Sequence, residues 1–359
     1  MNRLAEPMPI KSLVAGVDLG DADSHVCIID SESGEVVEET RLRTRPRDVA
    51  AYFARHSKLR VAVEAGAQSN WVSEAITAAG HDVTVANAAR VRLIHGGTRK
   101  NDRLDAQKLA RLLRYDASLL APIQHRRLST HHDMAMLRSR DALVRTRTAL
   151  VNHVRGVVKQ FGLRVQTCET SAFAARARDV IPPELAPALA PSLDAIATVS
   201  EKIRTLTWGV ERLCKEKYPE TALLMQVHGV AEVTALTFVL TIENPARFAR
   251  GRDVAAYLGL TPGEKQSGAS NPARGITKAG DKQLRRLLVQ CAHRILRQDA
   301  PETDLKRHGL KLARGGSKDN KRKAVVAVAR KLAVLLHALW LSGEVYEPLR
   351  NTRGQTDRT

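Results

Sequence analysis

Aromatic residues make up only 4% of the 359-residue chain. That excludes recognition built mainly on stacked bases, as in modules that hold single strands on Phe and Tyr platforms. Cysteine is nearly as sparse. Cys27, Cys168, Cys214 and Cys291 lie far apart with no Cys-x-x-Cys pair, which excludes a zinc knuckle and a disulfide framework and leaves reduced, mostly core thiols. Long apolar runs are missing too: no stretch approaches the about 18 residues of a spanning helix, and Met1 to Lys11 lacks the apolar centre of a secretory signal. A cytoplasmic protein with no membrane partner is expected. Acids are the other shortage, with 38 Asp and Glu against 57 Lys and Arg and a formal charge of +19. Such a surplus attracts polyanions, because each neutralised phosphate releases condensed counterions. Nucleic acid is therefore the expected partner and the nucleoid the expected location. Hydrophobic residues, at 43%, suffice for true cores, and the length suits two or three domains.

Residues 13 to 42 alternate short apolar runs with turn signals: Leu13 to Val17, then Val26 to Ile29, a Ser31-Glu32-Ser33-Gly34 turn, then Val36-Val37. Three strands in hairpin succession follow. A helix near Pro46 to His56, a strand at Val61 to Val63, another helix and a strand at Val83 to Val85 complete a mixed α/β plan with the element order of the ribonuclease H superfamily. Leu104, Leu109, Leu112 and Leu113 set a closing helix from Asp102 to Tyr115. Residues 124 to 165 lack Pro and place Leu137, Val144, Val151 and Val158 seven apart. They predict a long helix or paired coil, with a second from Leu185 to Leu213. These two form either an oligomerising arm or an intramolecular hairpin. The expected divisions are thus an α/β domain over 10–120, a helical middle over 121–218, a mainly α domain over 219–346 and a flexible tail over 347–359.

The mainly α part has one exception. From Gly259 to Gly280 turn formers crowd a structured loop. From Arg274 to Lys331 there are 17 basic and 5 acidic residues, so the polyanion contact is expected here.

Asp18 ends the first strand and Glu64 the fourth, each followed by small residues, while Asp102 and Asp105 sit three apart at the start of the closing helix. If the sheet brings these ends together beneath that helix, four carboxylates converge, an arrangement a basic protein needs a cation to sustain. Hard oxygen donors suit Mg²⁺, and paired ions can activate a nucleophile and steady a leaving oxygen in phosphoryl transfer. Taken singly, Asp102 reads as a helix cap, Asp105 as an ion-pair partner and Glu64 as a solvated strand end.

The segments Val14-Ala15-Gly16-Val17-Asp18-Leu19-Gly20, Val61-Ala62-Val63-Glu64-Ala65 and Lys100-Asn101-Asp102-Arg103-Leu104-Asp105-Ala106 resemble the Asp, Glu, Asp, Asp signature of DEDD-type insertion-sequence transposases. This is the Piv/MooV-like group, known as bridge-RNA-guided recombinases. Ala256 to Pro262, Gln266-Ser267-Gly268 and Gly275 to Asp281 are similar to that family's C-terminal transposase domain. The resemblance implies a RuvC-like N-terminal domain holding Mg²⁺ through Asp18, Glu64, Asp102 and Asp105. It implies Ser267 as the nucleophile that forms a covalent phosphoserine with DNA; Ser270 is the nearest competing hydroxyl. Arg274 and Lys278 follow as candidates for phosphate contact. The implied partners are donor and target DNA, a structured noncoding bridge RNA, and further copies of the chain in a dimer of dimers. The sequence departs from the family where His228, Ala231 and Glu232 replace the Pro, second Gly and second Pro of a Pro-Gly-Ile-Gly-Pro-like hairpin, which weakens a helix–hairpin–helix grip on DNA.

Overall fold

The structure is a computed structural model and describes residues 12–87, 101–263 and 275–351. The chain divides into two compact units, Met1–Leu128 and Ser129–Thr359.

In the first unit, β1 (Leu13–Asp18), β2 (Asp23–Asp30) and β3 (Val36–Arg43) are followed by α1 (Pro46–Phe53), β4 (Arg60–Glu64), α2 (Ser69–Ala78), β5 (Asp82–Ala86) and α3 (Asp102–Tyr115). The five strands form one mixed sheet in the order β3-β2-β1-β4-β5. β1 is antiparallel to β2 and parallel to β4, because the hairpin joins the first pair and the α1 crossover joins the second. Alternation then sorts the side chains. Ala15, Val17, Ile28, Val61 and Val63 face α1 and α2, packing on Val49, Phe53, Val72 and Ile76. Val14, Cys27, Ile29 and Ala62 face α3, packing on Ala106, Leu109, Ala110 and Leu113. Both faces are covered, which is why the central strands read as unbroken apolar runs. Burial pushes the Cys27 thiol up to about 11, with the charge of Glu39 adding to it, as befits an inert core thiol. Cys214 and Cys291 are likewise buried and free, and Cys168 is half-buried and free.

In the second unit the long helices α4 (Leu128–Gln160) and α6 (Ala186–Glu216), with α5 (Phe173–Arg178) between them, pair antiparallel. Leu137 packs near Val210 and Cys214 at one end, while Val151, Val154 and Val158 meet Leu189, Leu193 and Ile196 at the other. The seven-residue spacing thus serves an intramolecular hairpin. Crosslinks run along it from Arg140 to Thr207 (2.9 Å) and Arg147 to Ser200 (3.3 Å).

The remaining helices are α7 (Thr221–Leu224), α8 (Glu232–Ile242), α9 (Gly251–Tyr257), α10 (Lys282–Ile295), α11 (Asp304–Ala313) and α12 (Lys318–Ser342). Their shared core includes Phe238, Leu288, Val328, Leu332 and Leu336. One sequence expectation needs correction. Within α12 an 18-residue window has mean hydropathy 1.8, long and apolar enough by composition to cross a membrane. Half of that window is buried inside the unit, so the run is apolar because α12 is a central packing helix, and Arg330 and Lys331 interrupt it on its exposed face. The chain end also differs from the expected flexible tail. The Asp304 amide donates to Pro348 O (2.8 Å), and the Asn351 amide and side chain both donate to Asp304 Oδ2 (2.9 and 3.0 Å). Residues 352–359 lie outside the described residues.

Candidate active site

Val17 pairs with Val63 across the parallel β1–β4 seam, so Asp18 and Glu64 stand side by side at the carboxyl ends of adjacent strands. They share the α3 face, because Gly16 and Ala62, two residues earlier, lie against that helix. Arg60, level with Val14 at the other end of the seam, donates to Leu113 O in the last turn of α3 (3.0 Å). The helix therefore runs back along the strands and sets its first turn, with Asp102 and Asp105, over the ends that carry Asp18 and Glu64. Gly16 permits this closeness: a Cβ there would lie 2.1 Å from Ala106 O and 2.5 Å from Ala110 N.

The first turn is fixed locally. Asn101 caps it, its side-chain oxygen accepting from the Arg103 amide at 3.1 Å. Arg103 and Gln107 both donate to Glu39 on β3, and these hydrogen bonds, Arg103 first, hold the Glu39 carboxyl below its ordinary range. Reading the sequence missed Glu39, since it sits in a strand with no motif. It also missed His25, which pairs across β1–β2 with Asp18 and shares its face; only the register could have revealed it.

The four carboxylates are gathered at one end of the sheet but not around one point. Among the described residues no three His, Cys, Asp or Glu stand close enough to hold a metal ion. Like charges repel, and Asp105, 6% exposed, turns to Lys108 of its own helix at 2.8 Å. The donor set still fits a hard divalent cation in kind, since all four acids offer carboxylate oxygen from one end of one face.

Ser267, Ser270 and Arg274 lie in 264–274, outside the described residues. The flanks of that segment are described, and main-chain contacts tie them together. Gly263 N donates to Gly275 O (3.0 Å), Thr277 N to Thr261 O (2.9 Å) and Lys278 N to Gly259 O (3.1 Å). Gly259 and Gly280 adopt φ of +66° and +67°, and a Cβ on either would strike backbone of the opposite flank, at 2.3 Å from Ala279 N and 2.1 Å from Tyr257 O. Only glycine fits such an approach. Arg285 of α10 locks the pair from below, donating to Leu258 O (3.0 Å) and to Ala279 O. Lys278 is exposed, with φ +58°, a conformation that strains a residue with a side chain. The turn between α7 and α8, where the family's hairpin is altered, is packed inward: Gly229 has φ +88°, and a Cβ on it would meet Cys291 O of α10 at 3.3 Å.

Two family models match in order along the chain. One, described as Transposase, covers residues 15–162 and all four acids; the other, Transposase IS116/IS110/IS902 family, covers residues 221–306 and so includes Ser267 and Lys278. Among curated relatives, a probable family 20 transposase of Pseudomonas aeruginosa is 28% identical, aligned over 93% of this chain and 98% of that protein. The transposase for insertion sequence element IS1111A of Coxiella burnetii is 27% identical, over 93% and 91% respectively. Among solved structures, the T. thermophilus RuvC in complex with Holliday junction substrate aligns with 16% identity and a TM-score of 0.24, covering 31% of this chain and 99% of that one. Matched by both models and aligned with transposases along nearly its whole length, the chain belongs to the IS110 family of DEDD transposases.

Proposed function

We propose that the protein is an RNA-guided DNA recombinase of an insertion sequence, with a ribonuclease H-like N-terminal domain, that cuts and rejoins DNA through a phosphoserine at Ser267. In this reading Ser267 Oγ attacks a backbone phosphorus. A P–Oγ ester forms, one P–O bond of the strand breaks, and the released oxygen takes up a proton to become a hydroxyl. A strand hydroxyl then attacks the phosphoserine, restores a phosphodiester and returns the proton to serine. The phosphodiester energy is kept in the enzyme–DNA ester, so rejoining needs no outside energy source. Asp18, Glu64, Asp102 and Asp105 would hold Mg²⁺, which when bound supplies positive charge toward the developing oxyanion. Lys278 and Arg274 would offer positive charge to the same phosphate. Donor and target DNA and a structured RNA are the partners, a dimer of dimers is the assembly, and the cytoplasm is the place of action.

The observation that supports this reading best is the placement of Asp18 and Glu64 at adjacent strand ends beneath the α3 turn that carries Asp102 and Asp105. The test is trapping. Incubated with Mg²⁺, guide RNA and a nicked suicide DNA, the wild type should yield a protein–DNA adduct that survives denaturation, and Ser267→Ala should yield none. Cleavage that persists in Ser267→Ala but vanishes in Asp18→Asn would instead establish a metal-dependent nuclease without serine chemistry.

A further inference from the structure

A groove of about 1390 Å³ runs along the exposed face of α12, bounded by α11, the returning segment from Val345 to Asn351 and the flanks of the serine-bearing segment. Its floor is aliphatic, formed by Val326, Ala327, Val334, Leu335 and Ala338. Its rim is mainly cationic, with Asp304 and Glu347 as the acidic residues that also line it. Lys323, Arg330, Lys331 and Lys278 are exposed, and none has a carboxylate within salt-bridge distance among the described residues. The positive field reaches His308 on the α11 wall, whose imidazole is pushed below its usual range by burial and then by Lys331 and Lys311.

Four cations outside any described ion pair, against two lining carboxylates, leave a positive surplus around an apolar floor; that suits an occupant that is anionic along one edge and flat and apolar on another. Duplex DNA presents phosphate and sugar outward and keeps its base faces stacked inside, so it matches the rim and wastes the floor. An unpaired strand offers both: phosphates for lysine and arginine, and exposed base faces for apolar side chains. The scarcity of aromatic residues does not oppose this, since the floor is aliphatic. One end of the groove is lined by Leu260, Pro262, Gly275 and Ile276, which flank in sequence the segment that contains Ser267.

We propose that this groove holds an unpaired nucleic-acid strand next to the strand-cutting site, its phosphates on Lys323, Arg330 and Lys331 and its bases against the α12 floor. The inference rests on the proposed function in taking nucleic acid as the partner. Its test needs no strand chemistry. Full-length protein is titrated into fluorescent oligothymidine and into a blunt duplex across a salt series, read by anisotropy. The double variant Lys323→Ala, Arg330→Ala should bind the single strand at least about tenfold more weakly at low salt. Its log K against log salt slope should flatten by about 1.4, the loss of two phosphate contacts at about 0.7 each. Duplex affinity should stay within about twofold. Ala338→Gln, at an exposed helical position, should weaken single-strand binding several-fold with the slope unchanged.

Equal losses for both nucleic acids, or none, overturn the proposal. A change in sedimentation of the double variant overturns it in favour of a second copy of the chain. If any variant misfolds by circular dichroism, photocrosslinking of an iodouracil-substituted strand to the wild type decides. Adducts should map between Lys323 and Tyr346, and adducts confined elsewhere refute the groove. A protein that binds single strands through this groove yet forms no adduct at Ser267 would sink the recombinase reading and leave the groove standing; adduct formation with groove variants intact would do the reverse.

Discussion

Gly16→Ala adds one carbon at the point where the sheet and α3 touch. The new Cβ would sit 2.1 Å from Ala106 O and 2.5 Å from Ala110 N, and both are helix backbone, so no side chain can swing aside. To restore ordinary contact the helix must retreat by about 1 Å. A radial gap of 0.5–1 Å forfeits roughly a quarter to a half of each dispersion contact across it. The affected interface buries Leu109 and Leu113 completely, together with Ala106 and Ala110. At about 1.5–3 kcal/mol for each buried leucine, a loss of a quarter to a half gives roughly 1–3 kcal/mol. The variant should therefore lose about 2 kcal/mol in the unfolding transition of the N-terminal unit, followed by circular dichroism in urea. The displacement also lifts Asp102 and Asp105 away from Asp18 and Glu64, and a misplacement of about 1 Å costs on the order of 100-fold in rate. DNA cleavage at a temperature where the variant is fully folded should fall by that factor. Gly66→Ala is the control, because a Cβ there meets no atom within 4 Å; its stability should stay within about 0.5 kcal/mol. If Gly16→Ala unfolds like Gly66→Ala and cleaves at the wild-type rate, the argument that α3 rests on Gly16 and positions the acids is wrong.

Asp133 on α4 accepts from Lys217 and Tyr218 at the base of the helical hairpin. Burial raises its carboxyl, but the two hydrogen bonds and the lysine charge outweigh that and hold it below the ordinary range. A depressed folded value means the stabilisation is complete above about pH 4 and lost as pH falls through the folded value. Asp133→Asn should be less stable at pH 7 by about 1–2 kcal/mol and should show a shallower acid loss than wild type; parallel acid profiles count against the pairing. Lys278→Gly should raise stability by about 1 kcal/mol by relieving the positive φ while lowering strand cleavage. A stabilised variant with unchanged cleavage would remove Lys278 from the site. Gly259→Ala should cost several kcal/mol, since its Cβ meets backbone at 2.3 Å, and chemical denaturation of the C-terminal unit measures it.

The first sheet was legible because its signals are local. Apolar runs such as Leu13 to Val17 and Val61 to Val63 are short, end at turn formers and become strands where expected. The closing helix runs over the very residues, Asp102–Tyr115, that its leucines marked. That Asp18 and Glu64 fall at matching strand ends was legible for the same reason, since both follow runs of like length. The pairing of Asp18 with His25 and the grip of Glu39 on α3 were not, because both depend on register between strands and no periodicity encodes which residues become neighbours. The heptads at Leu137 to Val158 mark an apolar seam without naming its partner, and the partner proved to be α6 of the same chain. The α12 run was overlooked because Arg330 and Lys331 break it in sequence, although in space both fall on one exposed face and leave the buried face continuous.

The flanks of the serine-bearing segment are joined through amides and carbonyls, and the close approach of Gly259 and Gly280 excludes side chains from the seam. Main-chain bonds are indifferent to which residues lie between the anchors. Substitutions between the anchors can therefore change the chemistry presented to a phosphate while the footing stays put. The two glycines are the part of that footing with no room for a side chain.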